Sequence, residues 1–384
     1  MRTFSDVPLP EGLLDQWKCW EGGRNKPDEF YRPLIAATFG TVVESIFPSR
    51  RLPLPPQTAD ERLLSQSGMD TNELIKRITR PSIDDTTLDA LGLTVDQLCC
   101  DYASRNATEL TTESREWLSR ITYLLGERLT LGQHKNVLDA AGWLTLLIGC
   151  LEYDTGQYRS AEATRTGALQ LANEAANASI SGWSHELRAW FALTNGRYRE
   201  VIEAAQTGQD VAPGRSVSVQ LLAQEAKAWA RMANQRNVVR ALEKGRVLLD
   251  SLPYPERPDN HFVVEPDKFD FFAMDCYRLI GDDDLAAMHA HEIITKSTAF
   301  NGMNVSPMRQ AEAELTLGVI AARNGAVDQA LAYGSNALSI DRRSQPSLLM
   351  VGSELDQELQ RRYPYNTDVQ AFHNTLTVIT SHTS

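Results

Sequence analysis

The stretch Arg309–Leu338, RQAEAELTLGVIAARNGAVDQALAYGSNAL, constrains this chain more than any other. Its small residues Gly318, Gly325, Ala330 and Ala337 follow one another at offsets of 7, 5 and 7. On two helices folded against each other, the first small residue permits close approach, the second turns the chain, and the last two pack helix on helix. One such hairpin cannot bury its own apolar faces. It therefore predicts neighbours of the same kind.

Used as a ruler, the pattern finds them from Leu138 onward. Gly149, Gly156, Ala161 and Ala168 fit fully, and Ala189, Gly196, Val201 and Gly208 fit with one β-branched exception. Met274, Gly281, Ala286 and Ile293 fit at the turn and the first packing position, while Trp229, Arg236, Ala241 and Leu248 fit more weakly. The third marks are then 40, 40, 45 and 44 residues apart, which calls for longer helices or return loops than a repeat of ~34 residues allows. The longest loop is Leu252–Pro266, LPYPERPDNHFVVEP. The small-residue positions resemble those of tetratricopeptide helix pairs. An all-α fold, a right-handed superhelix of such hairpins, is the expectation, and no useful period-2 strand pattern competes with it.

Composition supports a folded chain. It has 384 residues with 42% hydrophobic and 23% charged, and no apolar run approaches the roughly 20 residues of a membrane span. Met1–Pro10 lacks the basic start and apolar core of a signal peptide, so a cytoplasmic location without membrane attachment is expected. The five cysteines, Cys19, Cys99, Cys100, Cys150 and Cys276, form no CxxC pair and are expected as buried or half-buried free thiols. The net charge of −12 argues against non-specific nucleic-acid binding by the whole chain. Residues 1–51 carry seven basic and seven acidic side chains, so the excess negative charge lies entirely after them.

Three domain segments are expected: an N-terminal arm over 1–47, a proline-rich linker over 48–60 and a helical repeat domain over 61–384. In the arm, GLLDQWKCWEGG, EFYRPLIAATFG and SIFP are short helical pieces, separated first by the Gly22-Gly23 stop and the Pro27-Asp28 start. Pro48, Pro53, Pro55 and Pro56 make the linker extended. Beyond it, helices are expected over Glu61–Thr79, Thr86–Arg105 and Thr112–Leu131, the second marked by Leu88, Leu91, Val95 and Leu98-Cys99 on one face. Asn106-Ala-Thr108 fits a glycosylation sequon, a pattern without meaning in a cytoplasmic chain.

The string Trp17, Trp20-Glu21-x-Gly23, Pro27, Tyr31-x-x-Leu34, Phe39-Gly40 resembles the second half of the Xre-type helix-turn-helix domains of actinobacterial transcriptional regulators. KFDFFAMDCYRLIGDDDLAAMHAHEII, SPMRQAEAELTLGVIAARNGAVDQAL and DRRSQPSLLMVGSEL resemble the C-terminal tetratricopeptide-like region of the same family, and this likeness covers roughly residues 86–372. A complete domain of that type has about 30 further residues before its recognition helix, so the arm is expected as a partial helix-turn-helix. The resemblance implies base or phosphate contacts for Gln16 and Lys18 and phosphate contacts for Arg24 and Lys26. It also implies promoter DNA as a partner and a homodimer. The bland alternative is a short helical arm kept together by Trp17, Trp20, Phe30, Tyr31 and Phe39.

No GxxxxGK[ST], GxGxxG, GxSxG or HExxH occurs, so an enzyme has no support, and no cofactor is expected. His289 and His291 point about 200° apart on a helix and cannot share a metal. Asp282-Asp283-Asp284 lacks the alternation of a cation loop and reads as a helix cap. The first helices of the hairpins place Glu186, Trp190, Lys268, Phe271, Asp275 and Arg278 toward a groove suited to a peptide or small polar effector. Two function classes follow: a regulator whose solenoid senses a ligand or protein partner, or an interaction scaffold of helical repeats without DNA binding. The bland alternative makes Trp190 and Phe271 core residues and Lys268, Asp275 and Arg278 a solvated ion-pair ladder.

Overall fold

The computed structural model describes residues 10–39, 43–47, 83–127, 129–298 and 304–381. Two compact units divide the chain, Met1–Thr58 and Ala59–Ser384. Among the described residues every regular element is a helix, and the sole β feature is an isolated bridge between Thr298 and Asn304. No described helix is long and apolar enough to cross a membrane.

The first unit holds α1 (Pro10–Glu21), α2 (Tyr31–Thr38) and α3 (Val43–Ile46), close to the three expected pieces. Gly23 takes a positive φ of 70° after α1, a conformation open to glycine at little cost. Asp28 Oδ1 accepts from the amides of Phe30 and Tyr31 and starts α2. The rings meet as the bland alternative expects: Trp17 lies 6.4 Å from Trp20 and 6.0 Å from Phe39, and Trp20 lies 5.0 Å from Tyr31. The linker 48–60 and the helix expected over Glu61–Thr79 lie outside the described residues.

The second unit opens with α4 (Asp85–Asp101) and α5 (Ala107–Leu124). Asp84 caps α4 through the Thr87 amide at 2.7 Å, and Asn106 of the sequon caps α5. Then come the hairpins α6 (Leu131–Asp154) with α7 (Tyr158–Glu174), α8 (Ala178–Thr194) with α9 (Tyr198–Val211), and α10 (Ser216–Arg231) with α11 (Gln235–Ser251). They continue as α12 (Pro266–Ile280) with α13 (Asp283–Lys296) and α14 (Pro307–Arg323) with α15 (Val327–Ser339), and α16 (Gln345–Arg362) with α17 (Thr367–Ser381) ends the unit. Each first helix also packs on the first helix of the next pair, from α6 through α16.

The ruler locates the hairpins, with one correction. Gly156, Gly196, Gly281 and Gly325 all turn the chain at positive φ, as expected. In α10/α11 the residue in that conformation is Ala233, at φ 55°, and not Arg236. Laid from Ala233, the offsets 7, 5 and 7 fall on Ala226, Val238 and Gly245, all of them buried or closely packed. The sequence register was displaced by three residues because an alanine occupies the left-handed site that glycine fills elsewhere.

Candidate functional site

The first helices of the middle hairpins present polar side chains on the face they share. Helical spacing brings Glu186 and Trp190 together on α8, Gln220, Gln224 and Lys227 on α10, Lys268, Phe271 and Phe272 on α12, and Met308, Arg309 and Glu312 on α14. Together with Ser347 and Met350 of α16 they line a cavity of about 130 Å³. The long loop 252–265 forms part of the wall through Asp259, Asn260 and His261.

That loop is held across the unit by hydrogen bonds to α4. The His261 amide donates to Cys99 O at 3.1 Å, while Arg257 and Asn260 donate to Asp96 at 2.8 and 2.6 Å. Phe262 packs its ring 5.5 Å from Trp143 and 5.3 Å from Trp183. The opposite side is closed by the segment before α16. Arg342 donates to Tyr102 O and to Asp154 Oδ2, and Trp190 Nε1 donates to Ser347 Oγ at 3.0 Å.

Of the expected groove residues, Glu186, Trp190 and Lys268 line the cavity, with Phe271 beside them. Glu186 is buried, and its Oε1 accepts from Gln220 Nε2 at 3.1 Å and Gln224 Nε2 at 2.7 Å. Burial raises the Glu186 carboxyl, and those two amides oppose the rise. Lys268 is also buried. Its Nζ donates to the carbonyls of His261 and Val263 at 2.5 and 3.0 Å, and burial together with the Arg309 charge lowers its pKa.

Asp275 and Arg278 do not line the cavity, and with Lys268 they do not form a solvated ladder. Both are buried in an ion network that joins three helices. Asp275 accepts from Arg231 at 2.8 Å and from Arg278, with Lys227 Nζ at 3.4 Å. Glu354 of α16 takes Arg231 at 2.9 Å and Arg278 at 2.7 Å, and Arg278 also donates to Thr316 at 2.7 Å. Sequence spacing on α12 alone suggested exposure, because Arg231 and Glu354 lie far away along the chain. The three cations hold Asp275 well below the usual carboxylate range although burial opposes them.

Glu312 is the residue that sequence reading missed. It is 8% exposed, lines the cavity, and its carboxyl makes no hydrogen bond or ion pair among the described residues. Burial pushes it up to about 7, against the pull of Lys227, Arg278 and Arg231 and with the push of Asp275. Its signal in the sequence was faint, one of two glutamates in the run AEAELTLG, three residues after Arg309.

In the first unit Lys18, Arg24 and Lys26 are exposed, and Lys18 lies 3.8 Å from Asp15. Gln16 is half-buried, and its buried Oε1 has no partner among the described residues. Among the described residues no set of His, Cys, Asp and Glu could hold a metal ion. His289 stacks on Tyr277 at 5.7 Å, His291 is exposed, and Asp282 caps α13 through the Leu285 amide. Cys19 is half-buried and the other four cysteines are buried, all of them free thiols. The chain matches no protein-family model and no curated protein.

Proposed function

We propose that the protein is a DNA-binding transcriptional regulator whose helical repeat unit senses a small ligand in the cavity between α8, α10, α12 and α14. The observation that carries the sensing half is Glu312, a carboxyl group buried in the cavity wall that makes no hydrogen bond or ion pair among the described residues. Burying such a group unpaired costs several kcal/mol or forces it to hold a proton, and stability alone gives no reason to keep it there. A cavity of about 130 Å³ suits a small molecule better than a peptide segment, since a cavity of about 150 Å³ just holds benzene.

The DNA half rests on the resemblance of the stretch from Trp17 to Phe39 to a recognition helix and its successor. The exposure of Lys18, Arg24 and Lys26 suits phosphate contacts. On this reading the hairpins form a right-handed, tetratricopeptide-like superhelix in a cytoplasmic homodimer, whose two-fold symmetry would match paired half-sites. The test is fluorescence anisotropy of the full chain with labelled fragments from upstream of its own gene, across a salt series. Binding that weakens steeply with salt, and weakens further in K18A/R24A/K26A, is the expected result. Absence of salt-dependent affinity for every fragment refutes the DNA half.

A further inference from the structure

The cavity wall is unequal in what it leaves unsatisfied. Its cations are already engaged: Lys268 on two carbonyls, Lys227 beside Asp275 and the rings of Phe271 and Phe272, and Arg309 at 3.3 Å from Glu265. The amide hydrogens of Gln220 and Gln224 are directed to Glu186 Oε1, and that carboxylate fixes their orientation. Apart from the Ser344 hydroxyl, which can donate or accept, the groups left over are acceptors. Among the described residues Gln220 Oε1 and Gln224 Oε1 have no donor, and the Glu312 carboxyl makes no hydrogen bond or ion pair. Beside them stands an apolar surface made of Trp190, Leu193, Phe271 and Met350.

A ligand that completes this wall brings hydrogen-bond donors on one end and an apolar body on the other. A neighbouring groove shares Ala103, Asp259, Ser306 and Arg309 with the cavity and offers a way in. The carboxylates of that groove are taken, Asp101 by Arg105, Asp259 by Arg257, and Asp267 and Glu292 by Lys296. An incoming cation therefore finds its unclaimed carboxyl only inside.

We propose that the cavity binds a small amphipathic amine, its ammonium group on Glu312 and its apolar body against Trp190, Phe271 and Met350. The inference rests on the ligand-sensing reading and adds to it the chemical class. Binding exchanges the proton held by Glu312 for the ammonium charge, so near neutral pH it releases a proton to solvent.

The experiment is isothermal titration calorimetry of the full chain with n-butylamine, 1-butanol and butanoate, which share one short alkyl chain and differ in charge. The amine is expected to bind at least tenfold more tightly than the alcohol, with the acid weakest, and to release protons when buffers of different ionisation enthalpy are compared. E312Q is expected to bring the amine down to the affinity of the alcohol while the circular dichroism spectrum stays unchanged. An amine affinity unchanged in E312Q overturns the proposal. An alcohol or acid that binds as tightly as the amine, and loses binding when M350W fills the cavity, overturns the amine and leaves the sensing reading standing. Silence from all three probes at millimolar concentration overturns both.

Discussion

Replacing Glu312 with glutamine separates a site kept for binding from one kept for packing. In the folded chain the carboxyl titrates at about 7, against 4.5 for an unhindered glutamate, and burial is the larger cause. Between these values the folded state holds a proton that the unfolded chain has lost. Stability therefore falls as pH rises from 4.5 toward 7, and the loss is complete above that. The gap is worth about 3 kcal/mol, and at 8% exposure solvent screening reduces it little. Glutamine has the shape of the protonated acid and does not titrate. E312Q should thus match the parent near pH 5 and exceed it by about 2–3 kcal/mol near pH 8. The assay is urea denaturation of both proteins at the two pH values, compared as a double difference. The comparison cancels the contributions of Lys268 and of the charges facing Glu312 (Lys227, Arg231, Asp275 and Arg278), which are present in both proteins. A difference that is the same at both pH values, or a loss of stability at pH 8, would refute the argument.

Two further predictions concern the scaffold. Ala176 and Ala233 hold positive φ of 50° and 55° at helix ends, so A176G and A233G should each stabilise the unit by about 1 kcal/mol in chemical denaturation, and a neutral result would count against their strain. A Cβ at Gly245 would lie 2.6 Å from the Phe269 ring, so G245A should destabilise by about 1–3 kcal/mol, whereas G167A on α7 meets nothing within 4 Å and should be neutral or mildly stabilising.

The contrast between Gly245 and Gly167 also shows what the sequence made legible. Where a small residue sits between two backbones, as at Gly318 and Ala330, the requirement is local and repeats with the hairpin, so spacing alone finds it. The α10/α11 hairpin escaped because Ala233 accepts a left-handed backbone at a strain cost, which its residue type does not announce. The cap at Asp282 was readable for the same local reason. By contrast, the burial of Asp275 and Arg278 depends on Arg231 and Glu354, 44–47 and 76–79 residues away respectively, and no helical periodicity carries that information.

The cavity follows the same division. Glu186, Trp190 and Lys268 were found because a first helix must present one face to its neighbours, and a charge on such a face stands out against apolar residues. What that charge does was decided by long-range partners: two glutamines from α10 for Glu186, and two carbonyls of the 252–265 loop for Lys268. Glu312 lay in plain view on α14, and its distinction is that nothing pairs with it. An absent partner can be recognised only when every surrounding element has been placed. For a stack of helix pairs this has a general consequence. The small residues that specify packing can stay constant while the polar residues beside them change what is bound, because packing marks and wall positions occupy different faces of the same helix.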